Sequence, residues 1–221
     1  MIRAGSGSAV HVDGAKAAAL ACERALRSAH LASAKLAIVF AGANHGEDEF
    51  RGVLHAVARI AGAASLMGCS TTGILTATRE LENARAVAVL VLDADVALPM
   101  PIVEPSVRED PRGAGARLGR AAVANLDGVV AGAILVVLVD PDDLDASAFL
   151  AGLADGAPGL TIAGAGASSG ESGARIFSGQ SAFAGAAVAI ALPAAILPTT
   201  GPATGARASR DHFPSRPSTA T

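Results

Sequence analysis

The sequence predicts an α/β protein built from two repeated halves. Three observations carry this. Short unbroken apolar runs, such as residues 36–41 and 133–139, alternate with segments whose apolar residues recur at helical spacing. The order helix, strand, helix, strand, small-residue loop, strand occurs twice, at an offset of about 97 residues throughout, which marks an internal duplication. Hydrophobic residues make up 51% of the chain and aromatics only 3%, with no Trp or Tyr, so the core must be Ala, Val, Leu and Ile under closely packed backbone. Apolar strands of this kind need cover on both faces. The expected arrangement is two helix-βαββ halves in pseudo-twofold relation, layered α/β/β/α. The alternative is one continuous mixed sheet with helices on both faces.

In order along the chain, residues 1–12 are Gly/Ser-rich and read as a flexible N-terminus. The folded domain is expected over residues 13–192, with halves at about 13–105 and 110–192. Asp13 is a helix N-cap, and Ala18, Cys22, Ala25 and Ala29 share one face of the helix it opens. Residues 36–41 form a buried strand, 42–46 a loop, and 47–61 a helix with Phe50, Val53, Leu54 and Val57 inward. Gly62 ends that helix. A short strand to Met67 leads into Gly68-Cys69-Ser70-Thr71-Thr72-Gly73, followed by Ile74-Leu75, a polar patch over 76–83, and a Val-rich strand over 86–92. Residues 93–105 hold three prolines and read as an extended connection. The pattern then restarts with the N-cap Asp110 and Pro111 at the first helical position. A strand over 133–139 follows, then a loop at Asp140-Pro141 and a helix expected to start at Asp142-Asp143, with Ala146, Phe149, Leu150 and Leu153 as its stripe. A strand over 160–163, a second small-residue loop over 164–170 and closing strands at 176–177 and 183–192 complete it. From Pro193, Thr, Pro, Ala, Ser and Arg dominate, and residues 193–221 read as a disordered tail.

Composition excludes several function classes. A net charge of −3 gives no basic footprint, and the scarcity of aromatics removes base stacking, so no nucleic acid partner is expected. The longest apolar runs are too short or are interrupted by Pro193, so no membrane span is expected despite a mean hydropathy of +0.46. No secretory signal is visible, and two cysteines are too few for a disulfide framework, which makes a reduced, cytoplasmic compartment the default. Neither cysteines nor histidines show metal spacing, so no metal is expected.

A parallel strand pair in each half, with a right-handed crossover, would aim both carboxyl ends the same way, and ligands bind outside such ends. That places Asn44 and His45 beside Gly68, Cys69, Ser70, Thr71, Thr72 and Gly73, and Asp140 and Asp142 beside Ser168, Ser169 and Gly170. Small residues let backbone approach a ligand, and the hydroxyls offer donors and acceptors. Arg175, next to the second loop, is a candidate carboxylate clamp. The expected site is a small-walled polar pocket within or between the halves. Two enzyme readings stand beside it. Cys69 with His45 would be a thiol–imidazole pair, with Asn44 as the best available orienting group. Gly166-Ala167-Ser168-Ser169-Gly170 matches the nucleophile elbow, but that motif needs a following helix, which Glu171-Ser172-Gly173-Ala174 does not supply. No pair of nucleophile and base is convincing, and ligand binding without catalysis is the preferred expectation.

The phrase Met67-Gly68-Cys69-Ser70-Thr71-Thr72-Gly73 after a Phe40-containing strand resembles the N-terminal FIST domain. The loop to Gly170, with Phe177-Ser178-Gly179 and the apolar strand to Leu192, is similar to the second half of that family, so the resemblance spans about residues 12–192. It implies an intracellular sensory domain for small ligands such as amino acids, with a signalling partner of kinase or cyclase type. Some members bind haem and sense nitric oxide. No haem-ligating histidine maps onto this sequence, so no cofactor is expected and a haem sensor stays a side alternative. Family members continue into a companion C-terminal domain, whereas here the sequence turns into the tail at Pro193, as a truncated gene or a shifted reading frame would give.

Overall fold

A computed structural model describes residues 1–62, 65–76, 80–126, 129–171 and 173–196. The first half runs β1 (Ile2–Val10), α1 (Gly14–Ala29), β2 (Leu36–Gly42), α2 (Gly46–Ala61), β3 (Ser65–Thr71), β4 (Gly73–Leu75), β5 (Glu80–Glu82) and β6 (Ala86–Ala94). The second runs β7 (Ile102–Glu104), α3 (Pro111–Ala124), β8 (Ile134–Val139), α4 (Ala146–Gly156), β9 (Thr161–Gly166), β10 (Ile176–Ser178), β11 (Ser181–Phe183) and β12 (Ala187–Leu192). The two series match element for element, so the duplication is real and begins one strand earlier than helix order suggests.

Two sheets result, with orders β1-β6-β2-β3-β10-β11 and β7-β12-β8-β9, and β4-β5 forms a separate hairpin. Within each half the pairings repeat: β1 and β7 run antiparallel to β6 and β12, these run antiparallel to β2 and β8, and β2 and β8 lie parallel to β3 and β9. The hairpin β10-β11 breaks the separation, because it leaves its own half and extends the first sheet by pairing antiparallel with β3.

Side-chain alternation sorts the core into three clusters. Ala37, Val39 and Ala41 of β2 pack under α1 and α2, while Leu36 and Ile38 face the opposite way. Leu135 and Val137 of β8 pack under α3 and α4, while Leu138 turns toward Leu36, Ile38 and Met67 of the first sheet. The inner sheet faces thus meet each other and the helices lie outside, in keeping with the layered α/β/β/α arrangement. Two separate sheets replace the single continuous sheet of the alternative reading.

Local signals place the helices. Asp13 Oδ1 accepts from the N–H of Lys16 at 3.1 Å, and Asp110 Oδ1 accepts from that of Gly113 at 2.9 Å, each satisfying a donor that the helix start leaves over. Gly62 closes α2 at φ +56°.

Several local expectations need correction. Residues 1–12 are not loose: β1 pairs with β6 along its whole length. A Cβ at Gly5 would stand 2.3 Å from Ser28 Oγ and one at Gly7 2.3 Å from the Ala21 carbonyl, so these glycines let α1 lie flat on the strand rather than supply flexibility. The connection over 93–105 contains β7, the first strand of the second half. The polar patch after Leu75 contains β5, with residues 77–79 outside the described set. The helix expected at Asp142-Asp143 starts at Ala146, because Asp143 adopts φ +55° and Asp145 Oδ1 caps the Ala148 N–H at 2.9 Å. Of the expected tail, Ala194–Ile196 form a 3-10 turn with Ile196 buried, and residues 197–221 lie outside the described set.

Candidate functional site

The first small-residue stretch is not a loop from Gly68: β3 runs on to Thr71, and β9 likewise runs on to Gly166, so each stretch begins as the carboxyl end of a parallel strand, and the structure brings the two into direct contact. Ser70 is the joint. Its N–H donates to the Arg175 carbonyl at 2.9 Å and its carbonyl accepts from the Ser168 N–H at 3.0 Å. Its hydroxyl donates to the Ser168 carbonyl at 2.8 Å and accepts from the Arg175 N–H at 2.9 Å. The residue is fully buried. Ser70, expected to face a ligand, instead commits its polar groups to binding one half to the other. Gly170 presses against Ala43, where an added Cβ would lie 2.9 Å from the Ala43 carbonyl oxygen, so this glycine serves the same seam.

Gly68 has a similar internal reason. A Cβ there would sit 1.9 Å from the Val39 carbonyl oxygen, and Gly164 repeats this against Val137 at the same 1.9 Å. The close approach that the sequence reads as access for a ligand is the approach of a neighbouring strand. Gly73, by contrast, has open space around it.

Two hollows flank the turn between β3 and β4. One, of about 400 Å³, is lined by Asn44, Thr72 and Asn83 from the first half and Ser169, Gly170 and Glu171 from the second. The Asn44 amide donates to the Asn83 carbonyl at 2.8 Å, and the Asn83 N–H donates to the Thr72 carbonyl at 2.9 Å, so the wall from the first half is internally braced. The Ser169 hydroxyl is held by the two Asp142 carboxylate oxygens at 2.6 and 2.7 Å. That hydrogen bond, then one from the Ala174 N–H, lowers the Asp142 pKa below the ordinary carboxylate range. Glu171 is exposed and has no bonding partner among the described residues. The other hollow, of about 280 Å³, is lined by Phe40, Cys69, Thr71, Ile74, Ala165 and Gly166 among others, and is more apolar. Thr71 Oγ1 donates to the Gly73 carbonyl at 2.6 Å and so shapes the turn between the two hollows.

Several expected site residues lie elsewhere. His45 is buried with Nδ1 on Glu49 at 3.0 Å, and its ring lies against Gly14 at the start of α1. Cys69, on the wall of the smaller hollow, belongs to the cluster between the sheets, and burial pushes its thiol up to about 12. The thiol–imidazole pair of the alternative enzyme reading is therefore not assembled. Asp140 is fully buried, and its carboxylate accepts from Arg108 at 3.1 Å, from the Gly185 N–H at 2.6 Å and from the Asp142 N–H at 3.0 Å. It anchors the loop and leaves the rim to Asp142. Arg175 does clamp a carboxylate, but it is Glu47 of the same chain at 2.9 Å, across the two halves. The Ser168 backbone is bound to Ser70, and the chain beyond it forms a bridge between Gly170 and Gly173, with no helix among the described residues there to complete a nucleophile elbow. Sequence reasoning missed Asn83 and Glu171. Asn83 carried a signal, since φ is +47° there and asparagine is a residue that tolerates such a turn.

Among the described residues no group of three or more His, Cys, Asp or Glu could hold a metal ion, and no helix is long and apolar enough to cross a membrane.

No curated protein matches the sequence. Among solved structures, the cyanuric acid hydrolase from A. caulinodans aligns over 87% of this chain and 71% of its own, with 12% identity and a TM-score of 0.48. A second cyanuric acid hydrolase structure aligns over 87% of this chain and 70% of its own, with 13% identity and a TM-score of 0.35. The FIST N domain model matches residues 35–212, most of the chain, and the protein belongs to that family of signal-transduction sensory domains.

Proposed function

We propose that this chain binds a small polar metabolite at the rim where its two halves meet, and that an amino acid or a similar compound carrying an amine is the ligand class. One observation carries the reading. The 400 Å³ hollow takes polar groups from both halves, Asn44 and Thr72 from one and Ser169 and Glu171 from the other. Its volume falls in the range of small-molecule sites. Glu171 supplies an uncommitted carboxylate for an ammonium group, while Thr72 and Asn44 offer donors to a carboxylate or amide. A ligand there would touch both halves, so occupancy would bias how they sit against each other. That is the property a sensory domain in a signalling protein needs.

Thermal denaturation against a panel of amino acids and related amines tests this. A binder raises the midpoint with concentration, adding about 2.7 kcal/mol of stability at a hundredfold excess over Kd. Glu171→Gln should abolish the rise while leaving the unliganded midpoint in place. A full panel without any rise, or a rise untouched by Glu171→Gln and Thr72→Val together, would refute the placement.

A further inference from the structure

The duplication gives each half one strand edge that accepts a hairpin and one hairpin that can be donated. In the first half the accepting edge is β3. Its Ser70 N–H donates to the Arg175 carbonyl and its Leu66 carbonyl accepts from the Gly179 N–H, so Leu66, Gly68 and Ser70 aim their backbone groups at β10. Phe177 of β10 then covers Phe50 of α2, with ring centroids 5.1 Å apart.

In the second half the accepting edge is β9. The Ala167 N–H donates to the Val139 carbonyl, so Ala163 and Ala165 face β8 as well, and Ile162, Gly164 and Gly166 face away. The register confirms the equivalence, since Gly68 stands opposite Val39 and Gly164 opposite Val137. Among the described residues nothing pairs with this outer edge, and most of β9 is exposed. Beside it, Phe149 of α4 occupies the place of Phe50. In place of a covering phenylalanine there is an open apolar groove of about 380 Å³, lined by Leu144, Phe149, Leu150 and Ile162. Leu150 is 53% exposed.

The donor left over is β4-β5. Strand β4 pairs with β5 on one side only, whereas its counterpart β10 pairs on both. The hairpin packs on β2 and β6 of its own sheet, which keeps it off β9 of the same chain, and Leu75 projects from it at 72% exposure. Residues 197–221 do not suit the groove, because Pro198, Pro202, Pro214 and Pro217 interrupt them and no alternating apolar run is present.

We infer that the outer edge of β9 and its groove dock the free edge of β4 from a second copy of this chain, repeating between molecules the contact that β10 makes with β3 within one. Backbone hydrogen bonds would supply the pairing and Leu75 would enter the groove beside Leu150 and Phe149. This contact is separate from the ligand hollow, and either can fail without the other.

Sedimentation velocity on the full chain at rising micromolar concentrations tests it, with hydrogen exchange on β9. The expected result is self-association, with amides of Ile162, Gly164 and Gly166 slowing as concentration rises. Leu75→Glu and Leu150→Glu replace exposed side chains and should keep the circular dichroism of the parent. Each should weaken association at least about tenfold, the effect of losing one anchor at an interface. Mixing the two variants should restore association, because one retains the acceptor and the other the donor. A chain that stays monomeric throughout, association indifferent to both variants, or β9 amides already protected in the dilute monomer would each overturn the inference.

Discussion

Replacing Ser70 with alanine separates a structural joint from a ligand contact. The Ser70 hydroxyl is fully buried and makes two hydrogen bonds, donating to the Ser168 carbonyl at 2.8 Å and accepting from the Arg175 N–H at 2.9 Å. Alanine removes both, so the half-buried Ser168 carbonyl and Arg175 N–H lose a partner together. Each orphaned group costs about 1–3 kcal/mol. The two are neighbours and relax jointly, so the sum is less than additive and about 2–4 kcal/mol is expected. With a urea slope of about 2 kcal/mol per molar, the unfolding midpoint should fall by about 1–2 M. Equilibrium urea unfolding followed by circular dichroism reads this directly. Ser169→Ala is the comparison: it removes an exposed hydroxyl whose partner, Asp142, keeps the Ala174 N–H, so its loss should stay below about 1 kcal/mol. If Ser70→Ala costs no more than Ser169→Ala, the two loops are not joined through this hydroxyl and the account of the seam is wrong.

Other consequences are as direct. Gly68→Ala and Gly164→Ala each force a Cβ to 1.9 Å from a neighbouring strand's carbonyl oxygen, well inside any normal contact. Each should cost about 3 kcal/mol or more in urea unfolding, while Gly73→Ala, with open space around it, should change stability little. Cys69 should resist iodoacetamide in the native state at neutral pH and react only on unfolding, since its thiol is buried and pushed up to about 12; rapid native labelling on intact mass would contradict this. Asp142 has a depressed folded pKa, so its contribution is complete above the ordinary aspartate value of about 3.9 and is lost as pH falls through the lower folded value. Asp142→Asn should therefore flatten the acid limb of a midpoint-versus-pH curve below about pH 4; a variant with the parent's acid limb would show that the carboxylate is not held as described.

The class of fold, the duplication and most helix boundaries are legible along the chain, because each depends on local chemistry. Asp13 and Asp110 cap helices through hydrogen bonds a few residues long, and apolar runs such as Leu36–Gly42 declare a strand wanting cover on both faces. Both small-residue stretches could likewise be tied to parallel strands, although the strands run further than expected, to Thr71 and Gly166. The purpose of the small residues could not. Gly5, Gly7, Gly68 and Gly164 read as flexibility or as room for a ligand, yet each admits another piece of this chain's own structure, and spacing along the sequence carries no record of which surface comes close. It took the assembled fold to make Ser70 a buried joint, to turn His45 under α2 toward Glu49 while Cys69 faces between the sheets, and to carry β10-β11 across to the other half. The joint and the crossing depend on pairings between residues about a hundred positions apart. Such pairings are settled by which edges and faces remain uncovered once both halves have formed.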